Sequence, residues 1–453
     1  MRRLIIFCLA GLLLTVERPV SPAPSTPGAI TAAGGSSLLA RDQDVLVSRK
    51  VVGINGAPDF DVSPKGDVLV AWTSSSATAT DSEIWVAVVK RKGSGKFKKK
   101  PKPFKLSTEA ASHFAPRVAW IGEIQQFFVV WERAGATATD NTRRILARAV
   151  DGKTGKPVGG VKTLVSDNRF NTTPVITAAF ANGKQDITLF FTSAPNPFAR
   201  QAARSAGNSS LNSAQVTPEL TAEEIVKLMK MPGGTTPEVL QVVDLSKDGQ
   251  SCRFVLYRTF NQFSTGFAHA KLVVNGKVTD ERKIRLFMGA TGKAQATADG
   301  SRVVVTATSD GSTTPDFTEI VEFAALCNVN GGILSEVGNS GGASPRVSMF
   351  ALLGQGSQSR VAGIGYLISA QTDGNVYEQV LDKDLKLVGA QESVFDHGNT
   401  LTAMIGGDIT PDSSNRSARL GKKPNSVLVW TKAVGNAFDQ EIRAHFFYLQ
   451  PTQ

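Results

Sequence analysis

Apolar and polar positions alternate along this chain in short runs, and the runs come in sets of four. One set is easy to see. It begins Ala115-Pro116-Arg117-Val118-Ala119-Trp120 and continues through Phe127-Phe128-Val129-Val130-Trp131, Arg144 to Val150 and Val161 to Val165. Alternation over four to eight residues is the signature of a half-buried strand.

The same parts recur on both sides. The preceding unit holds Pro58 to Asp61, the turn Ser63-Pro64-Lys65-Gly66, Val68 to Trp72, Ile84 to Val89 and Phe104 to Leu106. Pro58, Pro116 and Pro174 are 58 residues apart, and Trp72 and Trp131 are 59 apart. Later units start near Pro174, Pro237, Ala298, Pro345 and Leu401, and Pro237 to Pro345 is 108 residues, or two units of 54. A steady period of this size marks a repeat protein. A β-solenoid needs shorter repeats and a string of sandwiches longer ones. The last unit is one strand short, and Asp44 to Val52 is an unpaired alternation at the other end. The expected fold is therefore all-β, a β-propeller of seven four-stranded blades closed by the N-terminal strand.

One stretch breaks the pattern. Thr221-Ala222-Glu223-Glu224 fits a capping box, Leu220 and Ile225 fit a hydrophobic staple, and Ile225, Leu228 and Met229 share one helical face before Gly233-Gly234. These residues predict one inserted helix, within an insertion spanning about 217–232.

The chain has 453 residues and a formal charge of +11. Between Lys90 and Lys105 lie nine Lys or Arg and no acid, so 11 − 9 leaves only +2 elsewhere. The basicity is local. Arg2 and Arg3, the apolar Leu4 to Leu14 and the small-residue stretch from Arg18 to Ala33 have the order of a secretory signal, and eleven apolar residues are too few to span a bilayer. Export is expected, with residues 1–33 as signal and leader, 34–43 as a flexible linker and 44–453 as the propeller. Ala23, Ala32 and Ala33 all suit cleavage. Beyond it two cysteines remain, Cys252 and Cys327, which suit either one disulfide or two buried thiols.

The turn Ser63-Pro64-Lys65-Gly66 followed by Trp72-Thr73-Ser74 and Glu83-Ile84-Trp85-Val86, and Ser246-Lys247-Asp248-Gly249 followed by Phe254 to Tyr257, resemble the blades of TolB-type periplasmic propellers. The likeness touches about four of the seven units, and Lys65 stands where the pattern has Asp. It implies a propeller and an envelope location, and carries over no catalytic residue.

Local motifs exclude much chemistry. No Ser-x-Asp-x-Gly-x-x-Trp box of the sialidase-like propellers is present. His113, His269, His397 and His445 fall in four units without metal-ligand spacing. Asp59-Phe60-Asp61 and Asp382-Lys383-Asp384 lack an EF-hand pattern and read as turn residues. There is no phosphate-binding glycine loop. No cofactor or catalytic residue is assigned. Trp72, Trp131 and Trp430 read as core, leaving Trp85 and Trp120 for sugar stacking.

Two surface features remain. Ala77-Thr78-Ala79-Thr80-Asp81 recurs as Ala136-Thr137-Ala138-Thr139-Asp140 in the loop between second and third strands. Thr78, Thr80, Asp81, Thr137, Thr139 and Asp140 read either as solvated loops or, with the expected helix, as a recognition face. Lys96, Lys98, Lys99, Lys100 and Lys102 project from the opposite face, as a solvated loop or a site for an anionic partner such as an acidic polymer or lipid headgroups. Export argues against nucleic acid. The expected function is a non-enzymatic exported binding or scaffold module whose partner is an envelope or extracellular protein. The alternative is a glycan-binding or glycan-hydrolysing propeller with its site at the central channel.

Overall fold

The computed structural model is all-β. It describes residues 39–76, 81–92, 96–135, 142–181, 184–195, 208–232, 235–246, 250–260, 267–287, 294–298, 302–308, 318–326, 333–342, 347–352, 365–370, 375–381, 387–396, 401–408, 426–434 and 436–449.

A strand β1 (Leu39–Leu46) precedes a first group of β2 (Ile54–Val62), β3 (Val68–Ser75), β4 (Ser82–Val89) and β5 (Phe104–Lys105). The second group is β6 (His113–Ile121), β7 (Gln126–Ala134), β8 (Arg143–Asp151) and β9 (Pro157–Val165). The third is β10 (Phe170–Ala181), β11 (Lys184–Ala194), β12 (Ser210–Val216) and β13 (Ala222–Lys230), and the fourth β14 (Thr236–Asp244), β15 (Cys252–Phe260), β16 (Phe267–Val274) and β17 (Lys277–Phe287). Then come β18 (Ala294–Ala298), β19 (Arg302–Thr308), β20 (Thr318–Leu326) and β21 (Ile333–Gly342), followed by β22 (Val347–Leu352), β23 (Gly365–Ala370), β24 (Asn375–Leu381) and β25 (Leu387–Asp396). The chain ends with β26 (Leu401–Asp408), β27 (Ser426–Val434) and β28 (Asn436–Leu449).

Within each group every strand pairs antiparallel with the one before it. The first strand of each group packs on the first strand of the next, from β2 on β6 through β22 on β26, and β26 packs back on β2. Sheets radiating from such a ring of inner strands make a β-propeller. β1 takes the outer edge of β28, antiparallel, with Leu46 opposite Arg443. It begins at Leu39, inside the stretch expected to be linker, and stops short of Val52. Beyond it the Val47 and Ser48 N–H groups share the Ile442 carbonyl (2.8 and 3.3 Å), and at Lys50 the backbone passes through a left-handed conformation (φ 70°).

The inserted helix is not formed. Ala222–Lys230 is β13, paired with β12. Thr217 to Thr221 is a tight turn, closed by the Thr217 N–H on the Thr221 carbonyl (2.9 Å), with Leu220 left-handed (φ 60°) and its side chain buried. The physical reason is tertiary. β12 is the third strand of its blade and presents an edge that the next segment must satisfy. Two register shifts in β13 break the period of two, which makes Ile225, Leu228 and Met229 look helical in sequence. Leu228 and Met229 pack on the core, whereas Ile225 is 43% exposed.

Neighbouring blades bury their faces against each other. Trp72 and Trp131 are fully buried and Trp430 nearly so. The indole N–H of Trp72 donates to Asn55 Oδ1 (3.0 Å), and that of Trp131 to His113 Nδ1 (2.9 Å). Asn55, His113 and Asn171 stand one repeat apart. Where the tryptophan recurs a third time the chain has Phe191, and the Asn171 amide donates to the Arg143 carbonyl instead (3.2 Å).

Each of the first three inner strands is bulged before its proline. Ala57, Ala115 and Thr173 are left-handed there (φ 47°, 48° and 50°), a conformation that costs a non-glycine residue about 1 kcal/mol. Side chains from the neighbouring blade stitch the edges this leaves. Asp59 Oδ2 accepts from the Val118 N–H (2.8 Å), Asp61 Oδ2 from Trp120 (2.6 Å), and Glu132 Oε1 from Thr173 (2.7 Å). Arg253 ties the fourth blade to the third through Thr177 Oγ1 (3.0 Å) and Asp186 Oδ2 (2.9 Å). Asp59 and Asp61 are thus strand residues of β2, not the turn residues their sequence suggested.

Candidate functional site

The lysine-rich stretch lies between β4 and β5, and it is held at two levels. The Lys92 N–H donates to the Lys96 carbonyl (2.7 Å) and Lys98 to Lys90 (2.9 Å), with Arg91 bridged to Phe97, so the stretch folds back on itself. The Arg91 N–H is fixed on Asp67 Oδ1 (2.7 Å).

Phe97 is the anchor. Its ring is 1% exposed and stacks on Phe446 of β28, centroids 3.7 Å apart and planes at 14°. Its backbone is gripped by Gln43 of β1: the amide Nε2 donates to the Phe97 carbonyl (2.7 Å), and Oε1 accepts from the Phe97 N–H (2.8 Å). A buried amide satisfying both backbone groups acts as one more rung of sheet. The hairpin is therefore pinned across the seam where the two ends of the propeller meet.

An inward Phe97 turns its neighbours outward. Lys96, Lys98, Lys99 and Lys100 are exposed and, with Lys92, line a cleft of about 710 Å³ beside Gln43 and Asp44. The cleft carries five ammonium groups and one carboxylate. That carboxylate is already engaged: Asp44 Oδ2 accepts from Arg443 Nη1 (2.6 Å), and Oδ1 lies 3.6 Å from His445 Nε2. Of the five lysines expected to bind an anion, four line the cleft. Lys102 stands apart, its Nζ 5.2 Å from the Phe104 ring centroid. Sequence reading missed Gln43 and Asp44, which lie about fifty residues away and belong to the stretch expected to be linker and to the strand after it.

Asp81 is exposed, one residue before β4. Thr78, Thr80, Thr137, Thr139 and Asp140 lie outside the described residues, as do His397, Asp382 and Asp384. The other histidines have packing roles. His113 receives the Trp131 indole, His269 stacks on Tyr257 at 5.1 Å, and buried His445 lies 5.5 Å from the Trp430 ring. Burial lowers the His113 pKa, Glu109 opposes this and Arg133 adds to it, so the ring is neutral and accepts at Nδ1. Burial raises Asp59, Asp61 (to about 6) and Glu132. All three accept backbone N–H groups between blades, which accounts for them structurally.

Both spare tryptophans are partly buried and packed against neighbours. Trp85 donates to Glu83 Oε2 (3.0 Å), and Trp120 sits edge-on to Phe127 (4.7 Å). Gly152 lies against the Trp120 ring so closely that a Cβ would come within 2.5 Å of it. Among the described residues there is no cluster of three metal-ligating side chains, and no helix is long and apolar enough to cross a membrane. Cys252 is disulfide-bonded, to a partner outside the described residues.

No protein-family model and no curated protein matches the chain. Solved structures do. The BP39L lectin from Burkholderia pseudomallei aligns with a TM-score of 0.50 at 10% identity, over 88% of this chain and 96% of the lectin. An α-L-arabinanase from Penicillium chrysogenum aligns at 0.43 and 13% identity, over 77% of this chain and 100% of its own. The β-propeller domain of the Trilobed protease from Pyrococcus furiosus, described as having an open velcro topology, aligns at 0.41 and 11% identity, over 87% and 93%. At such identities likeness speaks to fold alone. The chain is a β-propeller.

Proposed function

We propose that the protein is an exported, non-enzymatic β-propeller that binds another macromolecule of the cell envelope or extracellular space through the basic cleft. One observation carries this reading: the cleft lysines ride on a hairpin whose backbone is already fixed by Gln43 and whose ring is fixed by Phe446. Prior ordering of the backbone lowers the entropy lost on binding, which a free lysine loop would have to lose. The disulfide at Cys252 supports export, because such bonds persist in oxidising compartments. The Ser63–Gly66 turn supports the TolB-type likeness: Gly66 has φ 78° and donates to the Ser63 carbonyl (2.7 Å).

A glycan-binding or glycan-hydrolysing function at the channel has one observation in its favour. Charged pairs from several blades gather near the inner strands, with Asp59 3.8 Å from Arg117, Glu132 on Arg143, and Glu238 2.7 Å from Arg258.

The test uses the mature chain as bait, with brief cross-linking, in envelope and medium of the native organism. A variant with Lys98, Lys99 and Lys100 all changed to Ser is run beside it. Stoichiometric capture of a macromolecule by the parent and not the variant supports the cleft. Equal capture by both refutes it, and release of cleaved sugar fragments makes the channel the site.

A further inference from the structure

We infer that the ligand of the basic cleft is a linear polyanion, a flexible chain with anionic groups at intervals, held by charge alone. The inference rests on the binding reading above and names the class of partner.

The shape of the cleft comes first. From Lys96 to Lys100 the backbone spans at most about 14 Å, with Lys92 across from it and Gln43 and Asp44 as the other wall. A row of ammonium groups in a recess suits a chain lying along it.

The chemistry of the donors comes second. All five cationic groups of the cleft are lysines. The nearby guanidinium of Arg91 is turned inward, 5.9 Å from the Phe97 ring centroid. Lysine is a hydrated point charge without the planar fork that reads one phosphate or carboxylate bidentately. Such a site does not choose between phosphate and carboxylate and gains by meeting several at once. A single small anion gains little there.

The aromatic rings come third. Phe97 is sealed between Phe446 and Arg91, and Phe104 is partly buried beneath Lys102. Among the described residues beside the cleft, neither ring is free to stack on a base or to enter a lipid interface. Nucleic-acid single strands and membranes would lose the contacts that usually accompany their electrostatic attraction. One wall of the cleft is β1, so a ligand there also favours the docked state of that strand.

The test uses the mature chain with fluorescent sodium polyphosphate and fluorescent polygalacturonate, read by anisotropy at 50 and 200 mM NaCl. Each lysine engaged releases roughly 0.7 counterion. Five lysines then predict an affinity about a hundredfold weaker at the higher salt, and the Lys98, Lys99 and Lys100 to Ser variant a drop of less than tenfold. Inorganic phosphate and monomeric galacturonate at equal charge should not compete, and saturating polymer should raise Tm. Binding of one polymer only assigns the source as phosphate or carboxylate.

Gln43→Ala leaves net charge unchanged while freeing the Phe97 backbone, and it should weaken polymer binding in protein that still melts cooperatively. Equal binding by Gln43→Ala would refute the fixed cleft. The inference is overturned if neither polymer binds, if the triple variant binds alike, or if vesicles of phosphatidylglycerol bind in its place. Failure of both polymers alongside lysine-dependent capture from the envelope would remove the polyanion and leave the binding reading standing.

Discussion

Asp61→Asn isolates one half-buried carboxyl at the seam between the first two blades. Asp61 Oδ2 accepts from Trp120 (2.6 Å) and Oδ1 from Val62 (2.7 Å). Burial raises its pKa from 3.8 to about 6, against the pull of those two N–H groups and with a small addition from Asp59. A raised folded pKa contributes stability that is fully present below the unfolded value and is lost as pH rises through the folded one. Between pH 4 and pH 7 that loss is about 2.4 kcal/mol, an upper figure since the side chain is partly exposed. The asparagine has no such titration. It offers one acceptor to two N–H groups, a penalty of about 1 kcal/mol at every pH. The variant should therefore be less stable than the parent at pH 4 and equal or more stable at pH 7. With unfolding entropy near 2.1 cal/mol/K per residue over roughly 400 residues, the difference in Tm should swing by about 2–3 °C across that range. Paired thermal melts at pH 4, 5, 6 and 7 read it directly, and titrations common to both proteins cancel. A difference that stays constant with pH would mean that the carboxyl is not desolvated between β2 and β6.

The remaining expectations concern other joints. Trp131→Ala should cost about 3–5 kcal/mol, and an unchanged Tm would show that the register of β7 is wrong. His113 has a lowered folded pKa, so its contribution is present above 6.5 and lost as pH falls below it; His113→Asn, which supplies the acceptor found at Asn55, should flatten that acid limb relative to the parent in urea titrations. Arg253→Ala strands Asp186, whose carboxyl burial would raise but Arg253 holds below its ordinary value, and the cost should be about 3–5 kcal/mol by equilibrium denaturation. Peptide mapping without reductant should join Cys252 to Cys327, and alkylation of Cys252 in the native protein without reductant would contradict the bond.

The fold was legible where the repeat was regular. Pro58, Pro116 and Pro174 mark bulged inner strands at equal spacing, and Trp72 and Trp131 mark the buried second strands that the period predicted. The third blade was misread because its apolar spacing passed through a bulged strand. A capping box is a local signal, and the open edge of β12 was the stronger demand. The lysines were legible as charge, but the cleft was not. Its geometry is set by Gln43 and Phe446, and no local pattern singles out one glutamine or one phenylalanine far along the chain.

By itself the sequence determined the strand content, the repeat length and the separation of a basic stretch from a nearly neutral remainder, because alternation, turn residues and charge are written residue by residue. Tertiary structure decided which side chains close the joints: Asp59 and Asp61 on β6, Arg253 on the third blade, and Gln43 on Phe97. Those choices depend on which unsatisfied backbone groups and which cavities the packed blades bring together. A buried donor takes the acceptor that is near it in space, and in a ring of blades the nearest acceptor is often a whole repeat, or the full length of the chain, away in sequence.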